Sequence, residues 1–347
     1  MTSRTQVDLL VIGAGPAGLA AGQMFSRLKR SCLIYDSGVY RNDVSDHAHA
    51  VAGFEGVNPA EFRRKYRQDL IEFYGDTTTF KQGKITTLNK VGEVFEAKDE
   101  NGNEVAARKV ILATGLKDKL PDIPGIADQW GKRAIHCIFC HGTETANKPF
   151  AFLFTAPNAW INTGLAGTML KLWPSLKHDP VYVLTHGLDV NTAEGRKAAG
   201  LEPYWDIVQK KGYTIISSPI TSVKSDADNT TLTITFQEHS SIQVPYMLLF
   251  PEKCTPNDHA LPFVNEQLFG LPLGPMGTIP FDPASQKSGG GGGMPRMGDS
   301  PKTPVKGLFW AGNSGAPAGN VAISVAQGQM AGAVAGDELG DEDLAKL

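Results

Sequence analysis

The sequence has a small net charge, few cysteines and no long apolar run. Its 33 lysines and arginines nearly balance 36 acidic residues, giving a formal net charge of −3. A charge this small provides no large field that would attract nucleic-acid phosphates or anionic lipid. No stretch approaches the roughly 18 apolar residues that a membrane helix needs. We therefore expect neither nucleic acid nor a membrane as a partner.

We expect no secretory signal, because the first strand-like segment begins by Val7. Only four cysteines occur in 347 residues, which is unlike a small secreted domain held by disulfides. These features predict a cytoplasmic protein, and in that reducing setting a close cysteine pair indicates redox catalysis or metal binding. The length predicts two domains, since single cores stop growing near about 250–300 residues.

What the chain does have is a nucleotide-binding pattern in its first forty residues. These residues have, in order, the patterns of an apolar strand, a glycine turn, an amphipathic helix and a second apolar strand that ends in an acid, Asp36. Gly13, Gly15 and Gly18 have the spacing that allows a tight turn, close approach to a pyrophosphate and helix–strand packing. The diphosphate would sit on the helix N-terminus, and Asp36 would hold the ribose. A glycine turn without a ligand is the alternative, although the agreement of all these features favours a nucleotide.

Two later segments indicate which nucleotide is bound. Arg108–Gly115 (RKVILATG) has the pattern of a buried strand ending in Ala-Thr-Gly, and Pro304–Gly332 has the pattern of a strand, a turn and a helix of small residues. This pairing resembles the flavin-binding segments of the two-dinucleotide-domain disulfide reductases. A helix starting near Asn320–Ser324 would place its N-terminus at the pyrimidine end of a flavin, where negative charge accumulates on reduction. The resemblance implies FAD rather than NAD; ordinary core strands are the alternative.

The segment RAIHCIFCHG places Cys137 and Cys140 at a predicted turn into a helix, with His141 directly behind. Such a pair can form a reversible disulfide, and a helix N-terminus lowers the thiolate pKa. Zinc would require a second Cys/His pair at ligand spacing, whereas Cys32 and Cys254 are isolated in the sequence. A redox pair is thus favoured over zinc and over a pair of inert buried thiols.

Together, GAGPAG, ATG, CIFCHG and GLFWAGN resemble the low-molecular-weight thioredoxin reductase family over most of the chain. The resemblance implies an α/β fold, that of a two-domain, Rossmann-like nucleotide-binding flavoprotein. Its split FAD domain would comprise residues 1–120 and 251–347, and residues 121–250 would form a smaller inserted α/β domain of degenerate NADPH type. It further implies that Cys140 lies nearer the flavin, that Cys137 meets the substrate sulfur, and that the protein is a homodimer.

The expected NADPH site of the inserted domain lacks two of its elements. Thr155, Ala156, Pro157 and Asn158 stand where a glycine turn belongs, and Gly164 and Gly167 fall inside the next predicted helix. The following strand ends in Thr-His-Gly (185–187), and the next arginine along the chain is Arg196. Arginines are the residues that bind a phosphate bidentately. We infer that this domain no longer binds NADPH.

Without NADPH, reducing electrons would have to come from a dithiol. The run CIFCHG and the segment Tyr35–Asp43 (YDSGVYRND) resemble the gliotoxin- and holomycin-type dithiol oxidases. The resemblance implies an FAD enzyme that closes a disulfide in an epidithiodiketopiperazine-like small molecule and reduces dioxygen to hydrogen peroxide. His141 is the candidate general base because its ordinary pKa is near neutrality, with a surface histidine as the alternative. Asn313 stands where the family has an acid and would offer an amide oxygen to the ribityl chain.

Two further functions stay open at this point. One is an NADPH-dependent thioredoxin-disulfide reductase with an atypical NADPH site, and the other is a flavin-binding regulatory protein whose cysteine pair senses redox state. His47 and His49 are predicted either to approach the flavin or substrate or to be solvated. Residues 181–250 are predicted to form short strands with one helix over Ala193–Lys211. Ser285–Pro304 is predicted to form a flexible glycine- and proline-rich loop.

The sequence therefore predicts one catalytic set, one cofactor set and no metal. The catalytic residues are Cys137, Cys140 and His141. The residues expected to bind FAD are Gly13, Gly15, Pro16, Ala17, Gly18, Asp36, Ser37, Arg41, Asn42, Thr114, Gly115, Gly312, Asn313 and Val321. The expected partners are a small-molecule dithiol, dioxygen and a second copy of the chain.

Overall fold

The computed structural model describes residues 4–156, 170–171, 173–274, 276–282, 300–316 and 319–347. The chain divides into two compact units: the first is Met1–Asp43, Ala50–Lys117 and Thr255–Leu347, and the second is Val44–His49 and Asp118–Cys254. The long insertion therefore starts at residue 118 and ends at 254, whereas the sequence places it at 121–250. Nothing in the sequence indicates that Val44–His49 belongs to the second unit.

The strands and helices follow in chain order. The strands are β1 (Thr5–Ile12), β2 (Cys32–Asp36), β3 (Thr78–Gln82), β4 (Ile85–Val91), β5 (Val94–Asp99), β6 (Glu104–Leu112), β7 (Leu116–Lys119), β8 (Ala134–Ile135), β9 (Phe150–Leu153), β10 (Val181–Leu184), β11 (Thr214–Ile216), β12 (Ile220–Ser225), β13 (Leu232–Phe236), β14 (Ile242–Val244), β15 (Tyr246–Leu249), β16 (Lys253–Pro256) and β17 (Leu308–Trp310). The helices are α1 (Pro16–Ser26), α2 (Pro59–Tyr74), α3 (Ile126–Gln129), α4 (Ile138–Thr145), α5 (Ala193–Ala198), α6 (Trp205–Lys211), α7 (Glu266–Phe269) and α8 (Val321–Leu344).

The first unit is built on a seven-stranded sheet in the order β3-β2-β1-β6-β5-β4, with β17 also paired to β6. The strands β3, β2, β1, β6 and β17 run parallel, while β4 and β5 are antiparallel additions. Side chains of β1 alternate between two cores. Leu9 and Val11 pack in the core that contains residues of α1 and α8, and Leu10 and Ile12 in the core beneath β4 and β5. A parallel sheet buried on both faces explains the uninterrupted apolar run of β1.

The second unit contains a five-stranded parallel sheet in the order β11-β10-β9-β15-β8 and a three-stranded antiparallel sheet, β12-β13-β14. The single helix predicted over residues 193–211 is wrong, because α5 and α6 are separate helices with a 3₁₀ turn between them. Gly200 adopts a left-handed φ of 70° at the break, a conformation that ends helices. Most of the loop predicted at Ser285–Pro304 lies outside the described residues, which resume at residue 300.

The architecture confirms the predicted α/β class with two sheets of nucleotide-binding type. In each unit the central strands are parallel and helices connect them, as in doubly wound folds. Among the described residues, no helix combines the length and the apolar character needed to cross a membrane.

Candidate functional site

The glycine turn between β1 and α1 has the geometry that its spacing predicts. Gly13 has a φ of +112°, and a Cβ placed there would lie 2.3 Å from the carbonyl oxygen of Ala113. A Cβ on Gly18 would lie 1.8 Å from the carbonyl oxygen of Gly13. A Cβ on Gly15, by contrast, would meet no atom of the described residues within 4 Å. The first and third glycines are thus required by packing, while the second faces open space.

The N-terminus of α1 begins at this open position. Gly15 is the N-cap, Pro16 and Ala17 are the first helical residues, and no side chain caps the helix or places an acid in its first turn. Helix N-terminal N–H groups without a side-chain acceptor favour an anion such as a diphosphate. The structure therefore brings Gly13, Gly15 and α1 together as a cradle suited to the diphosphate of FAD.

The ends of β6 and β17 lie beside the same turn. Leu112 pairs with Ile12 on one side and with Trp310 on the other, so three parallel strands end together. Thr114 follows β6, and its Oγ1 is buried without a hydrogen-bond partner among the described residues, so it is a polar atom that a cofactor could satisfy. Gly115 and Gly312 both have left-handed φ values, +66° and +67°.

Asp36 is buried at the end of β2, with 5% of its surface exposed. Its Oδ1 accepts hydrogen bonds from the Gly38 amide at 2.9 Å and the Tyr40 hydroxyl at 2.6 Å. Arg67 of α2 donates to Oδ2 at 3.2 Å. A carboxylate offers about four acceptor positions, so one remains for a ribose hydroxyl. Sequence reasoning missed Tyr40 and Arg67.

The other residues predicted to bind FAD lie in the loops that follow β2 and β17. Ser37 accepts a long hydrogen bond from the amide of Val39, 3.4 Å, and Arg41 and Asn42 belong to the turn after it. Asn313 donates from its side-chain amide to the carbonyl of Ala316 at 3.0 Å. Val321 is the first residue of α8. Their contacts with FAD stay predictions.

In the second unit, Cys137 and Cys140 form a disulfide with Cα atoms 5.3 Å apart. Cys137 is the N-cap of α4, and no side chain caps this helix. Both cysteines are partly exposed, and Phe139 between them is 67% exposed. No cluster of His, Cys, Asp or Glu suited to a metal occurs among the described residues. The predicted disulfide at a helix start is present.

Three histidines and one glutamate gather at this helix. His49 Nε2 lies 2.6 Å from Glu144 Oε1. The His49 ring centroid is 6.5 Å from that of His141 and 6.3 Å from that of His47. Glu144 was missed from the sequence; its position one helical turn after His141 was the available signal. The pair formed by His49 and Glu144 ties the segment Val44–His49 to α4.

His141 lies partly buried in this cluster, and its Nδ1 is buried without a hydrogen-bond partner in the described part of the chain. Burial lowers the pKa of His141 because it disfavours the charged form, and nearby His49 and His47 add to this effect. The carboxylate of Glu144 and a backbone contact of Cys137 oppose it. The lowered pKa favours the neutral imidazole, which is the form that can accept a proton.

The remaining cysteines have no such surroundings. Cys32 is 1% exposed in β2, and burial raises its pKa to about 12, which makes the thiol unreactive. Cys254 is 2% exposed, and its sulfur lies 3.4 Å from Asp118 Oδ1.

The strand ends of the second unit show how the residues of the expected NADPH site are used. Pro157, Asn158, Gly164 and Gly167 lie outside the described residues. His186 follows β10, and its Nδ1 accepts a hydrogen bond from the Ile220 amide at 3.0 Å. Arg196 donates to the carbonyls of Val190 and Asn191 at 3.3 and 3.1 Å, and to the carboxylate of Glu202 at 2.5 Å. Its guanidinium carbon lies 5.2 Å from the Trp205 ring centroid.

Comparison with known proteins identifies the family. Residues 7–157 match the family described as pyridine nucleotide-disulphide oxidoreductase. The chain is 30% identical to the thioredoxin reductase tcpT of Claviceps purpurea over 98% of this chain and 96% of that protein. It is 29% identical to the thioredoxin reductase sirT of Leptosphaeria maculans over 94% and 92%.

A similar solved structure extends the match over the whole fold. The crystal structure of HlmI superposes with a TM-score of 0.79 at 27% identity, covering 100% of this chain and 96% of that one. The family resemblance inferred from GAGPAG, ATG, CIFCHG and GLFWAGN is thereby confirmed. The chain belongs to the thioredoxin reductase-like pyridine nucleotide-disulphide oxidoreductases, and FAD is its cofactor.

Proposed function

We propose that this oxidoreductase is an FAD-dependent dithiol oxidase that forms a disulfide in a small molecule, with dioxygen as the final electron acceptor and hydrogen peroxide as the product. An epidithiodiketopiperazine-like metabolite is the proposed substrate class. A cytoplasmic location and a homodimeric assembly belong to the same proposal.

The observation that carries the proposal is the use of Arg196. It is the first arginine after β10, where an NADPH-binding unit would offer guanidinium groups to the 2′-phosphate. Its Nε instead donates to Glu202, and its Nη1 donates to two backbone carbonyls of its own unit. His186 is turned back to the amide of Ile220. With these groups committed to protein contacts, a dithiol is the better electron donor.

The chemistry at α4 is thiol–disulfide exchange. One substrate thiolate attacks Cys137, the bond between Cys137 and Cys140 breaks, and Cys140 leaves as a thiolate. The second substrate thiolate attacks the substrate sulfur bound to Cys137, so the substrate leaves as a disulfide and both cysteines are reduced. The N-terminus of α4 stabilises a thiolate on its N-cap, Cys137, which makes it a good leaving group in the second step.

His141 handles the protons of this exchange. A substrate thiol must lose its proton before it attacks, and the imidazole of His141, whose pKa is lowered by burial, can take it. The pair of His49 and Glu144 fixes the segment beside this histidine, with His49 Nε2 and Glu144 Oε1 2.6 Å apart. His141 is thus proposed as the base, and Glu144 as a positioning residue.

FAD, when bound, supplies the two-electron acceptor that returns the cysteines to the disulfide and that dioxygen can reoxidise. The groups that would hold it are the N-terminus of α1 for the diphosphate and Asp36 for the ribose. Asn313 would meet the ribityl chain with its amide oxygen, because its nitrogen donates to Ala316.

An anaerobic experiment separates this function from its alternative. The purified yellow protein is mixed in turn with NADPH and with small dithiols, and the flavin absorbance is followed before and after air is admitted. Bleaching by a dithiol but not by NADPH, with recovery in air and about one peroxide per dithiol, is the expected result. Rapid bleaching by stoichiometric NADPH would overturn the oxidase.

A cysteine variant tests the route. Cys140→Ser should keep its FAD and lose dithiol turnover, because the exchange has no second sulfur to release. Cys254→Ala removes a cysteine outside the pair and should retain turnover. Equal turnover in Cys140→Ser and the unaltered protein would remove the disulfide from the reaction.

An NADPH-dependent thioredoxin-disulfide reductase is the second candidate. It is favoured by the names of the two relatives that align over nearly the full chain, both called thioredoxin reductases. It requires saturable NADPH binding, which calorimetry on the FAD-loaded protein measures directly; micromolar affinity would support this function and argue against the oxidase.

A further inference from the structure

The loop after β2 contains a network of side chains around Asp36. The Tyr40 hydroxyl donates to Asp36 Oδ1 at 2.6 Å. Burial and this hydrogen bond raise the pKa of Tyr40, so the hydroxyl keeps its proton and acts as a permanent donor. The donor fixes the plane of the carboxylate, and with it the direction of the acceptor position left for a ribose hydroxyl.

Arg63 of α2 also contacts this loop. Its side chain is only 8% exposed, and its guanidinium carbon lies 3.8 Å from the centroid of the Tyr40 ring. Nη1 donates to Asn42 Oδ1 at 3.0 Å, and Nη2 is paired with the carboxylate of Asp43. One buried guanidinium therefore stacks on the residue that orients Asp36 and grips the two residues that end the loop.

Arg67 completes the arrangement from the next turn of α2. It donates to Asp36 Oδ2 at 3.2 Å, and its guanidinium carbon lies 4.3 Å from the Phe80 ring centroid. Residues four apart on a helix lie on one face. Arg63 and Arg67 thus present two stacked cations from α2 to one loop, and both lie in the first unit with it.

We infer that Tyr40 and Arg63 are positioning residues for FAD, which hold Asp36 and the loop of residues 37–43 in the form that receives the adenosine half of the cofactor. This inference rests on the predicted role of Asp36 in FAD binding and is independent of the dithiol oxidase proposal. Neither residue needs to touch the reacting flavin ring. Their effect belongs to cofactor affinity and not to the chemistry of the sulfurs.

The test measures binding to the apoprotein. Tyr40→Phe removes one hydroxyl and keeps the ring under Arg63, while Arg63→Lys keeps the charge and loses the planar fork that reaches Asn42 and Asp43 together. We expect each to raise the dissociation constants of FAD and of ADP, which shares the adenosine diphosphate half, by about ten-fold. Arg64→Met is the matched control, since Arg64 is the next residue of α2, is exposed and, among the described residues, pairs with Glu61 and Gln68 of its own helix.

The apoprotein melting temperature separates positioning from general damage. Tyr40→Phe and Arg63→Lys should melt within about 3 °C of the unaltered apoprotein, and Arg64→Met should match it in both affinity and melting. The inference is overturned if FAD affinity changes less than about two-fold, if ADP affinity is unchanged while FAD affinity falls, or if the affinity loss is accompanied by a larger fall in melting temperature. Both measurements are made on the apoprotein without a dithiol, so failure here leaves the oxidase proposal standing.

Discussion

At the scale of single residues, His141 illustrates how position changes an ordinary group. The sequence assigns it a pKa near neutrality, whereas burial in the structure lowers that pKa. A lowered pKa in the folded state means that the unfolded chain binds the proton more tightly. The contribution of His141 to stability is therefore complete above its ordinary pKa of 6.5 and is lost as the pH falls through the folded value.

The same shift predicts the acid side of the pH profile. If neutral His141 is the base, the acid limb of kcat for dithiol oxidation should be centred below 6.5, the ordinary histidine pKa. His141→Ala should lose this dependence and be slower by about 10²-fold or more. The measurement is kcat from oxygen uptake between pH 5 and 8 (about the working range of histidine). An acid limb centred above 6.5 that persists in His141→Ala would contradict this role.

At the scale of elements, the packing of α1 on α8 depends on small residues. A Cβ on Gly328 would lie 2.1 Å from the carbonyl oxygen of Ala17, and one on Gly332 would lie 2.4 Å from that of Ala21. These glycines lie one turn apart on α8, so the two helix backbones approach closely along one stripe. Because Ala17 belongs to the first turn of α1, this contact also fixes the helix end that we propose for the FAD diphosphate.

Gly328→Ala should therefore affect both stability and cofactor binding. The added methyl group meets backbone and can be accommodated only if α1 moves, which should lower the free energy of unfolding by about 1–3 kcal/mol and weaken FAD binding. Gly340→Ala is the control on the same helix, because a Cβ there meets no atom within 4 Å. It should be neutral or stabilise by up to about 1 kcal/mol. Urea unfolding and FAD titration measure both effects; equal results for the two variants would refute the packing argument.

A buried lysine joins the strand β6 to the end of α8. The side chain of Lys109 is 2% exposed, and its Nζ lies 3.1 Å from Glu338 Oε2 and 2.6 Å from Glu342 Oε1. Each glutamate has a second cation within reach, Lys302 at 2.8 Å and Arg108 at 3.3 Å. The lysine depends on the two glutamates for its counter-charge, but the glutamates do not depend on the lysine alone.

This asymmetry predicts unequal effects of mutation. The double variant Glu338→Gln/Glu342→Gln leaves a buried ammonium without a carboxylate and should reduce the free energy of unfolding by about 3–5 kcal/mol. Lys109→Met keeps the volume, removes the charge and should change it by about 1 kcal/mol or less. Urea unfolding of both variants decides the matter. A larger loss of unfolding free energy in Lys109→Met than in the double variant would contradict this argument.

The elements also show where sequence reasoning succeeds and where it fails. β1, α1 and β2 were predictable because apolar runs, glycines and Asp36 are local signals. The break after α5 was missed because the left-handed Gly200 interrupts an otherwise helical pattern. Glu144, Arg63 and Tyr40 were missed because each acts through a partner brought near by the fold. Val44–His49 could not be assigned to the second unit for the same reason, since its contacts to α4 are non-local.

At the scale of the whole molecule, the two nucleotide-type units differ in the groups that lie at their strand ends. The first unit keeps an open glycine position, a buried acid and a free helix N-terminus, all suited to FAD. The second unit commits His186 and Arg196 to its own backbone and side chains and carries the disulfide on α4. Two redox groups in one chain, each a two-electron couple, set the number of electrons that the molecule can hold.

That number can be counted without knowing the substrate. FAD and the disulfide between Cys137 and Cys140 each accept two electrons, so anaerobic dithionite titration of the FAD-loaded protein should consume about four electrons per chain. A Cys137→Ser/Cys140→Ser variant that retains FAD should consume about two. Cys32→Ala/Cys254→Ala removes the other two cysteines and should still consume about four, because neither belongs to a disulfide. If the unaltered protein consumed only about two, the cysteine pair would not be a working redox couple in the folded chain, and electrons could not pass from a dithiol through it.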